Sequence, residues 1–364
     1  MTVIRPYVAE HERAVAEFNA RLRAAGAALS FRGRAPREGD AASAFVALDV
    51  DCQTSRSAVR GGYVGVRHPF VLFGESVNVF QLKMPLSEST VDMRYNAVGL
   101  QLIVDAERRY PLAFALGMGG RHNTLPKILG ARGWSVRDVP FFFRVTRPSR
   151  VLRHLAWLRT TRSRRFVLDV LAASGIGAAI LPLHTCFAWR RRRDADVRAA
   201  VAADWGNGDF VDRIWSRARS SVALAAQRDA ARLAELYPVG ERRFLRLKVE
   251  RAGEPIGWAI LLDTQLAGHA QFGDMRLGSL VDGFAQRGEE RHVVHAATRV
   301  LNRRGVDLIV SNQSAPGWCE AMRVNRWIEG PSNYVLALSR ALSTRLGAAA
   351  VHVTRGDGDG PIHL

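Results

Sequence analysis

Cysteine is scarce in this chain. Cys52, Cys186 and Cys319 lie far apart among 364 residues, and no Cys-x-x-Cys pair occurs. That excludes a zinc ribbon and a disulfide framework, and no metal site is expected. The opening MTVIRPYVAEHERAV lacks a basic stretch followed by an apolar core, so no signal peptide is expected and the location reads as cytoplasmic. Acidic residues are few as well. Asp and Glu number 34 against 52 Lys and Arg, leaving a net charge of +18. Such a balance favours anionic partners: nucleic acid, phosphorylated cofactors, acidic glycans or an anionic membrane face. Its arginines are spread along the whole sequence, so part of the excess also reads as plain surface solvation.

Long apolar runs are scarce too. Val170 to Trp189 approaches bilayer length, but it contains Pro182, His184 and two glycines and has arginines on both flanks. It reads as a buried or interfacial connecting helix, in peripheral contact with an anionic membrane surface at most. What remains is ordinary for a folded chain, with 48% hydrophobic and 24% charged residues. The length exceeds what one core usually organises, so two domains are expected.

Ile4 to Tyr7 reads as a strand, and Glu10 to Ala25 as a helix burying Val15, Phe18 and Leu22. Three β-rich runs follow, Ala44 to Val50, Gly62 to Phe73 and Val77 to Met84. A helix from Gly99 to Arg109 leads to a strand at Leu112 to Met118. A short helix at Leu125 to Ala131 then leads to VPFFFRV, Val139 to Val145, read as core strand. The second half has strands at Leu245 to Val249, Gly257 to Leu262 and Arg276 to Val281. A helix at Val293 to Arg303, a strand at Asp307 to Asn312, a short helix ending at Trp327 and a strand at Tyr334 to Leu338 complete it. The two halves share a rhythm. Arg94 to Trp134 spans 40 positions and Gln286 to Trp327 spans 41, each with helix, strand, loop and helix. That pattern implies a duplicated α/β unit. The expected division is 1–150, a basic and partly apolar helical linker at 151–219, a degenerate second unit at 220–345, and a flexible tail at 346–364.

The stretch RYNAVG, Arg94 to Gly99, passes two small residues and opens a helix. A helix start leaves backbone N–H groups free and carries partial positive charge, so it suits a phosphate group. Arg94 adds a full charge at its mouth. GMGG, Gly117 to Gly120, also follows a strand, but it lacks the third glycine of a dinucleotide loop.

Arg94, Tyr95, Asn96, Ala97, Val98 and Gly99 resemble the R/Q-x-x-G-x-G/A signature of the GNAT acyltransferase superfamily, with Ala97 in place of the first glycine. The following LQLI resembles that family's helix start, LGARGW its L-x-x-x-G-F ending, and IRPYVAEHERAV its opening strand and helix. The resemblance covers roughly residues 1–148 and, more weakly, 220–345. It implies an α/β protein of two tandem GNAT-like domains, each a mixed, mostly antiparallel sheet flanked by helices. It further implies that the Arg94–Gly99 loop and Asn123 contact acetyl-CoA or another acyl-CoA. An amine acceptor, such as an amino sugar or other small amine, would then attack the thioester directly.

Direct attack needs a base or water path for the amine proton and an acid for the departing thiolate. The family's tyrosine acid is absent, since Leu125 to Arg132 reads LPKILGAR. The stretch from Pro85 to Asn96 is also longer than usual. Glu75, Glu88 and His122 are the candidate bases, and Glu88 and His122 are carried forward as catalytic. Two other functions fit parts of the pattern. One is an aminoacyl-tRNA-dependent transferase of the peptidoglycan-bridge type, which the net charge suits and which would make nucleic acid a partner. The other is a non-catalytic module that binds an anionic surface. In the second half, QRGEER places Glu289 and Arg291 where Ala97 and Gly99 stand, so that loop is expected to satisfy itself, with Arg287 and Arg291 pairing its carboxylates.

Overall fold

Alternation and periodicity set the first elements. In the computed structural model, β1 (Thr2–Pro6) leads through a 3-10 turn into α1 (Glu12–Ala24), which buries Val15, Phe18 and Leu22. The structure describes residues 2–34, 42–50, 57–154, 196–202, 205, 209–269 and 271–358. The apolar stretch Val170 to Trp189 lies outside them. Three long strands follow, β2 (Ala42–Val50), β3 (Ser57–Leu72) and β4 (Glu75–Ser87). Then come α2 (Asn96–Arg109), β5 (Ala113–Leu116), α3 (Thr124–Ala131) and β6 (Ser135–Asp138).

The chain continues with β7 (Phe141–Val145), α4 (Pro148–His154), β8 (Val197–Ala202), α5 (Asp209–Ala218), β9 (Leu224–Ala226) and α6 (Ala230–Leu236). A hairpin of β10 (Leu245–Arg251) and β11 (Glu254–Gln265) turns at Ala252 and Gly253. Both have positive φ, as a tight hairpin turn requires. After it come β12 (Arg276–Ala285), α7 (Glu290–Arg304), β13 (Leu308–Asn312), α8 (Pro316–Val324) and β14 (Ile328–Gly330). The last elements are β15 (Val335–Leu338), α9 (Arg340–Leu346) and β16 (Val351–His352).

These elements form two units, and the boundary is not the expected one. The first unit is Met1–Asp138 with Asn333–Ala349, and the second is Val139–Ser332 with Ala350–Leu364. In the first, the strand order is β1-β2-β3-β4-β5-β15-β6. In the second it is β14-β7-β13-β12-β11-β10-β8. Each of these orders thus includes one strand from the other half of the sequence. β15 pairs antiparallel with β5, through Leu336↔Leu116 to Leu338↔Phe114, and with β6 on its other side. β7 sits between β13 and β14, with Phe143 opposite Val310 and Ile328. A cut at residue 150 would therefore leave β7 in the wrong unit and remove β15 from the right one.

Two further boundaries are corrected. The proposed linker 151–219 overlaps α4, β8 and α5, which belong to the second unit. The proposed tail 346–364 is ordered as far as residue 358 among the described residues, with Val351 to Thr354 buried.

Along each of these strand orders one pair is parallel, β4 with β5 and β12 with β13, and the other neighbours run antiparallel; away from them β16 pairs parallel with β9. In the first unit α2 and α3 cover one face through Val98, Leu102, Ile103 and Leu129, packed on Phe45, Phe80 and Leu82. α1 covers the opposite face, placing Phe18 and Leu22 against Val46, Leu48 and Val59. The second unit packs α7 and α8 on Leu247, Leu261, Leu280 and Ile309. The repeat seen in the sequence is therefore a real structural one, β4-α2-β5-α3 matching β12-α7-β13-α8.

Candidate functional site

Parallel strands end at the same edge of a sheet, and the crevice beyond those ends is the usual ligand position in open α/β folds. β4 and β5 are paired at Phe80↔Ala113 and Gln81↔Phe114. Beyond that pairing Leu82–Ser87 run on toward α2. The β3–β4 register slips between Gly62 and Val64, opposite Leu86 and Lys83. Met84 is the extra residue, exposed, with φ of 47°. A bulge of this kind bends the strand and frees backbone groups, and such bulges concentrate beside functional sites.

Glu75 begins β4 at the opposite edge. It lies twelve residue steps along the strand from Ser87, roughly 40 Å, so it plays no part here.

The RYNAVG stretch forms the entrance of α2. Met93–Tyr95 is a 3-10 turn, and Asn96 to Gly99 is the first turn of the helix, which contains no acidic residue. Tyr95 is the cap residue and accepts no bond from the helix with its side chain. Asn96 and Ala97 are exposed, while Val98 points into the core. Arg94 is exposed, but its guanidinium is forked onto Asp92 at 2.6 and 3.0 Å. Asp92 also accepts the Arg94 backbone N–H at 3.0 Å. Those hydrogen bonds hold the Asp92 carboxyl below its usual range and push the Arg94 guanidinium up. A phosphate entering here meets an arginine that already has a partner.

Gly99 is small for a different reason than the sequence suggested. A Cβ there would lie 3.2 Å from Ser87 Oγ, which itself contacts Ser89 Oγ at 2.5 Å. The glycine lets α2 pack on the end of β4, and its bare side faces protein.

Glu88 is not poised to take a proton. It is buried, and Arg21 reaches both of its oxygens at 2.8 and 3.2 Å while Arg60 donates to Oε2 at 3.0 Å. Burial pushes its carboxyl up, but the hydrogen bonds and charges of the two arginines outweigh it and hold it below its ordinary 4.5. Arg21 also donates to the Val59 carbonyl at 2.6 Å, and the Arg60 guanidinium lies 4.4 Å above the Tyr95 ring. Glu88 thus clamps α1, β3 and the approach to α2. The sequence offered no sign of this, because its partners lie 67 and 28 positions away.

The loop after β5 completes the edge. Gly117, Gly119 and Gly120 all have positive φ, which explains GMGG as a turn. Asn123 caps α3 and donates Nδ2 to the Met118 carbonyl at 2.9 Å, so its side chain braces this loop. His122 is exposed beside it. Tyr334, carried in just ahead of β15, packs on Gly117, with a ring carbon 3.1 Å from where a Cβ would stand. Sequence reasoning missed it because 217 positions separate the two residues.

The second unit repeats the plan with its mouth filled. β12 and β13 pair from Leu277↔Leu308 to Ser279↔Val310, and a bulge follows at Val281. The first turn of α7 carries Glu290, whose carboxylate accepts the backbone N–H groups of Gly288 and Glu290 itself; burial pushes its pKa up. The carboxylates of this loop are engaged, though Glu289 finds its arginine outside the loop and not in Arg287 or Arg291. Arg251 pairs with Glu289 at 2.7 Å, and Arg291 turns to His292.

No family model matches the chain, and no curated protein matches it in sequence. Solved structures do. The fold is similar to that of a conserved protein of unknown function from Enterococcus faecalis V583, described as a probable N-acyltransferase. Identity is 9% and the TM-score 0.51, over 95% of this chain and 74% of that one. It is also similar to Saccharomyces cerevisiae N-myristoyltransferase with bound myristoyl-CoA, at 9% identity and a TM-score of 0.46, over 93% and 78% of the two chains. At such identities the likeness is one of fold. The chain has a tandem GNAT-like fold, α/β throughout, with a mixed sheet in each unit. Among the described residues no helix is long and apolar enough to cross a membrane.

Proposed function

We propose that the chain is an acyl-CoA-dependent N-acyltransferase whose cofactor crevice lies in the first unit. One observation carries this reading. The parallel pair β4 and β5 is short, β4 runs on past it through a bulge at Met84, and α2 opens at the same edge with an uncharged first turn. Extended pantetheine fits between strands that part in this way, and the helix start suits the pyrophosphate. The description of the Enterococcus protein as a probable N-acyltransferase agrees with it.

In this reading the first-turn amides of Asn96 to Gly99 hold the pyrophosphate, with Arg94 moving from Asp92 onto it. Asn123 keeps the β5 loop in shape. An amine attacks the thioester carbon, the C–S bond breaks, and the acyl group passes to nitrogen. His122 takes the amine proton, directly or through water, and Tyr334 protonates the leaving thiolate. Glu88 is left out of the chemistry. Acetyl-CoA is the first acyl donor to try and amino sugars and small amines the first acceptors, with a cytoplasmic or membrane-peripheral setting.

Ala97→Glu tests the crevice. Ala97 is exposed, and a carboxylate in a first helical turn favours the helix, so the fold is retained. The same charge repels a pyrophosphate. Calorimetry should show acetyl-CoA binding by the unmodified chain and a loss of roughly tenfold or more in the variant. Equal affinity in the two would refute the loop assignment.

A further inference from the structure

In the second unit the strands part beyond their parallel pairing, as in the first, and a later segment of the chain packs against both of them. Beyond Ser279↔Val310 the β12 and β13 backbones no longer pair, the Ser311 hydroxyl alone donating across to the Leu280 carbonyl at 2.8 Å, and residues 351–357 lie against both strands past that point. Ser314 ties this segment to the end of β13. Its N–H donates to the Val353 carbonyl at 3.1 Å, and its hydroxyl donates to the Val351 carbonyl at 2.6 Å and accepts the Val353 N–H at 2.7 Å. Gln313 and Thr354 are bridged antiparallel. On the other side the Thr354 hydroxyl donates to Asp282 Oδ1 of β12 at 3.0 Å. The His352 ring lies edge-on to Phe284 of β12 and Trp318 of α8, with centroids 5.2 and 6.0 Å away. One short segment therefore reaches both diverging strands.

A buried charge network locks it there. Arg228, 1% exposed, donates to Asp282 at 3.1 Å and to Asp357 at 2.6 Å. Tyr237 donates its hydroxyl to the second oxygen of Asp282 at 3.0 Å. Asp357 in turn accepts the Thr354 N–H at 2.8 Å. Gly356 fits under Tyr237, where a Cβ would meet the phenol oxygen at 2.1 Å. Removing one member of such a network strands a buried charge, so the segment is held as firmly as a core strand.

We propose that Val351–Asp357 is a permanent strap that occupies the second crevice, so that this unit takes no acyl-CoA and the chain holds one cofactor in the first. The strap stands on its own geometry; the stoichiometry rests on the reading of the first unit given above. Glu290 at the start of α7 closes the same mouth by charge.

Two measurements on the full chain separate these parts. Hydrogen exchange followed by mass spectrometry should show peptides covering 351–357 exchanging within about tenfold of those covering β13. Exchange at the rate of a free coil, without acyl-CoA present, would overturn the strap. Calorimetric titration with acetyl-CoA should reach one equivalent per chain. Two equivalents would overturn the proposal even with a protected strap. No binding at all would sink the reading of the first unit, while the exchange result would still decide the strap. As a check on mobility, Gln313→Cys with Thr354→Cys should oxidise to a cross-linked protein with unaltered acetyl-CoA titration. A second equivalent that appears on reduction would show the segment to be a moving lid, and would overturn permanence.

Discussion

Glu88 and Gly99 both stand where the sequence pattern promised chemistry, and both are held by neighbours that the pattern does not contain. Position along the chain identifies a residue type beside a helix start. It says nothing about an arginine 67 positions upstream. With two guanidiniums on it, the Glu88 carboxylate contributes stability as an anion. Its folded pKa lies below the ordinary 4.5, so this contribution is complete above that value and is lost as pH falls through the lowered one. Glu88→Ala should cost about 3 kcal/mol at neutral pH by removing the buried carboxylate that two partly buried arginines share. Glu88→Gln keeps the shape and should cost less. In urea titrations from pH 7 downward, the gap between the unmodified protein and Glu88→Gln should hold steady and then close below pH 4.5. A gap independent of pH would show that the carboxylate's charge is irrelevant.

At the scale of elements, most of the first unit was legible. The helical stripe Val15, Phe18, Leu22 and the alternation of β2 are local signals, and local signals survive folding. β6 was missed because SVRD has no apolar alternation; it is a strand by virtue of pairing with β15. β3 was read from Gly62 and starts at Ser57, so that Gly61, Gly62 and Gly65 all lie inside the strand. They are packing glycines. A Cβ on Gly65 would lie 1.6 Å from the Phe80 ring, and that ring is stacked on Tyr110 at 3.7 Å and cannot retreat. Gly74 at the β3–β4 turn is different, with φ of 88° and open space around it. Gly65→Ala should therefore cost about 3 kcal/mol or more through overpacking. Gly74→Ala should cost only about 1 kcal/mol through backbone strain. Chemical denaturation of both variants checks the order, and a reversed ranking would contradict the packing of β3 under Phe80.

The largest departure from the sequence reading belongs to the whole molecule, and its cause is again distance along the chain. Duplication was visible because helix and strand periods repeat within each half. The exchange of β7 and β15 was not, because a strand carries no mark of which sheet it will join. Its consequence concerns folding. The first unit is incomplete until Val335–Leu338 has been made, since β5 and β6 meet through that strand. The second unit needs both Phe141–Val145 and the strap near residue 354. Each unit thus draws on widely separated stretches of chain, and neither can close while the other end is loose. Calorimetry of the full chain should show one cooperative transition whose calorimetric and van't Hoff enthalpies agree. A fragment of residues 1–150, cut where the sequence suggested a domain end, should lack fixed near-ultraviolet circular dichroism, because β5 has lost its antiparallel neighbour. The same fragment joined through a flexible linker to residues 333–349 should recover it. Two separate thermal transitions in the full chain, or a well-folded 1–150 fragment without the added strand, would mean that the exchanged strands are ornaments on two independent domains.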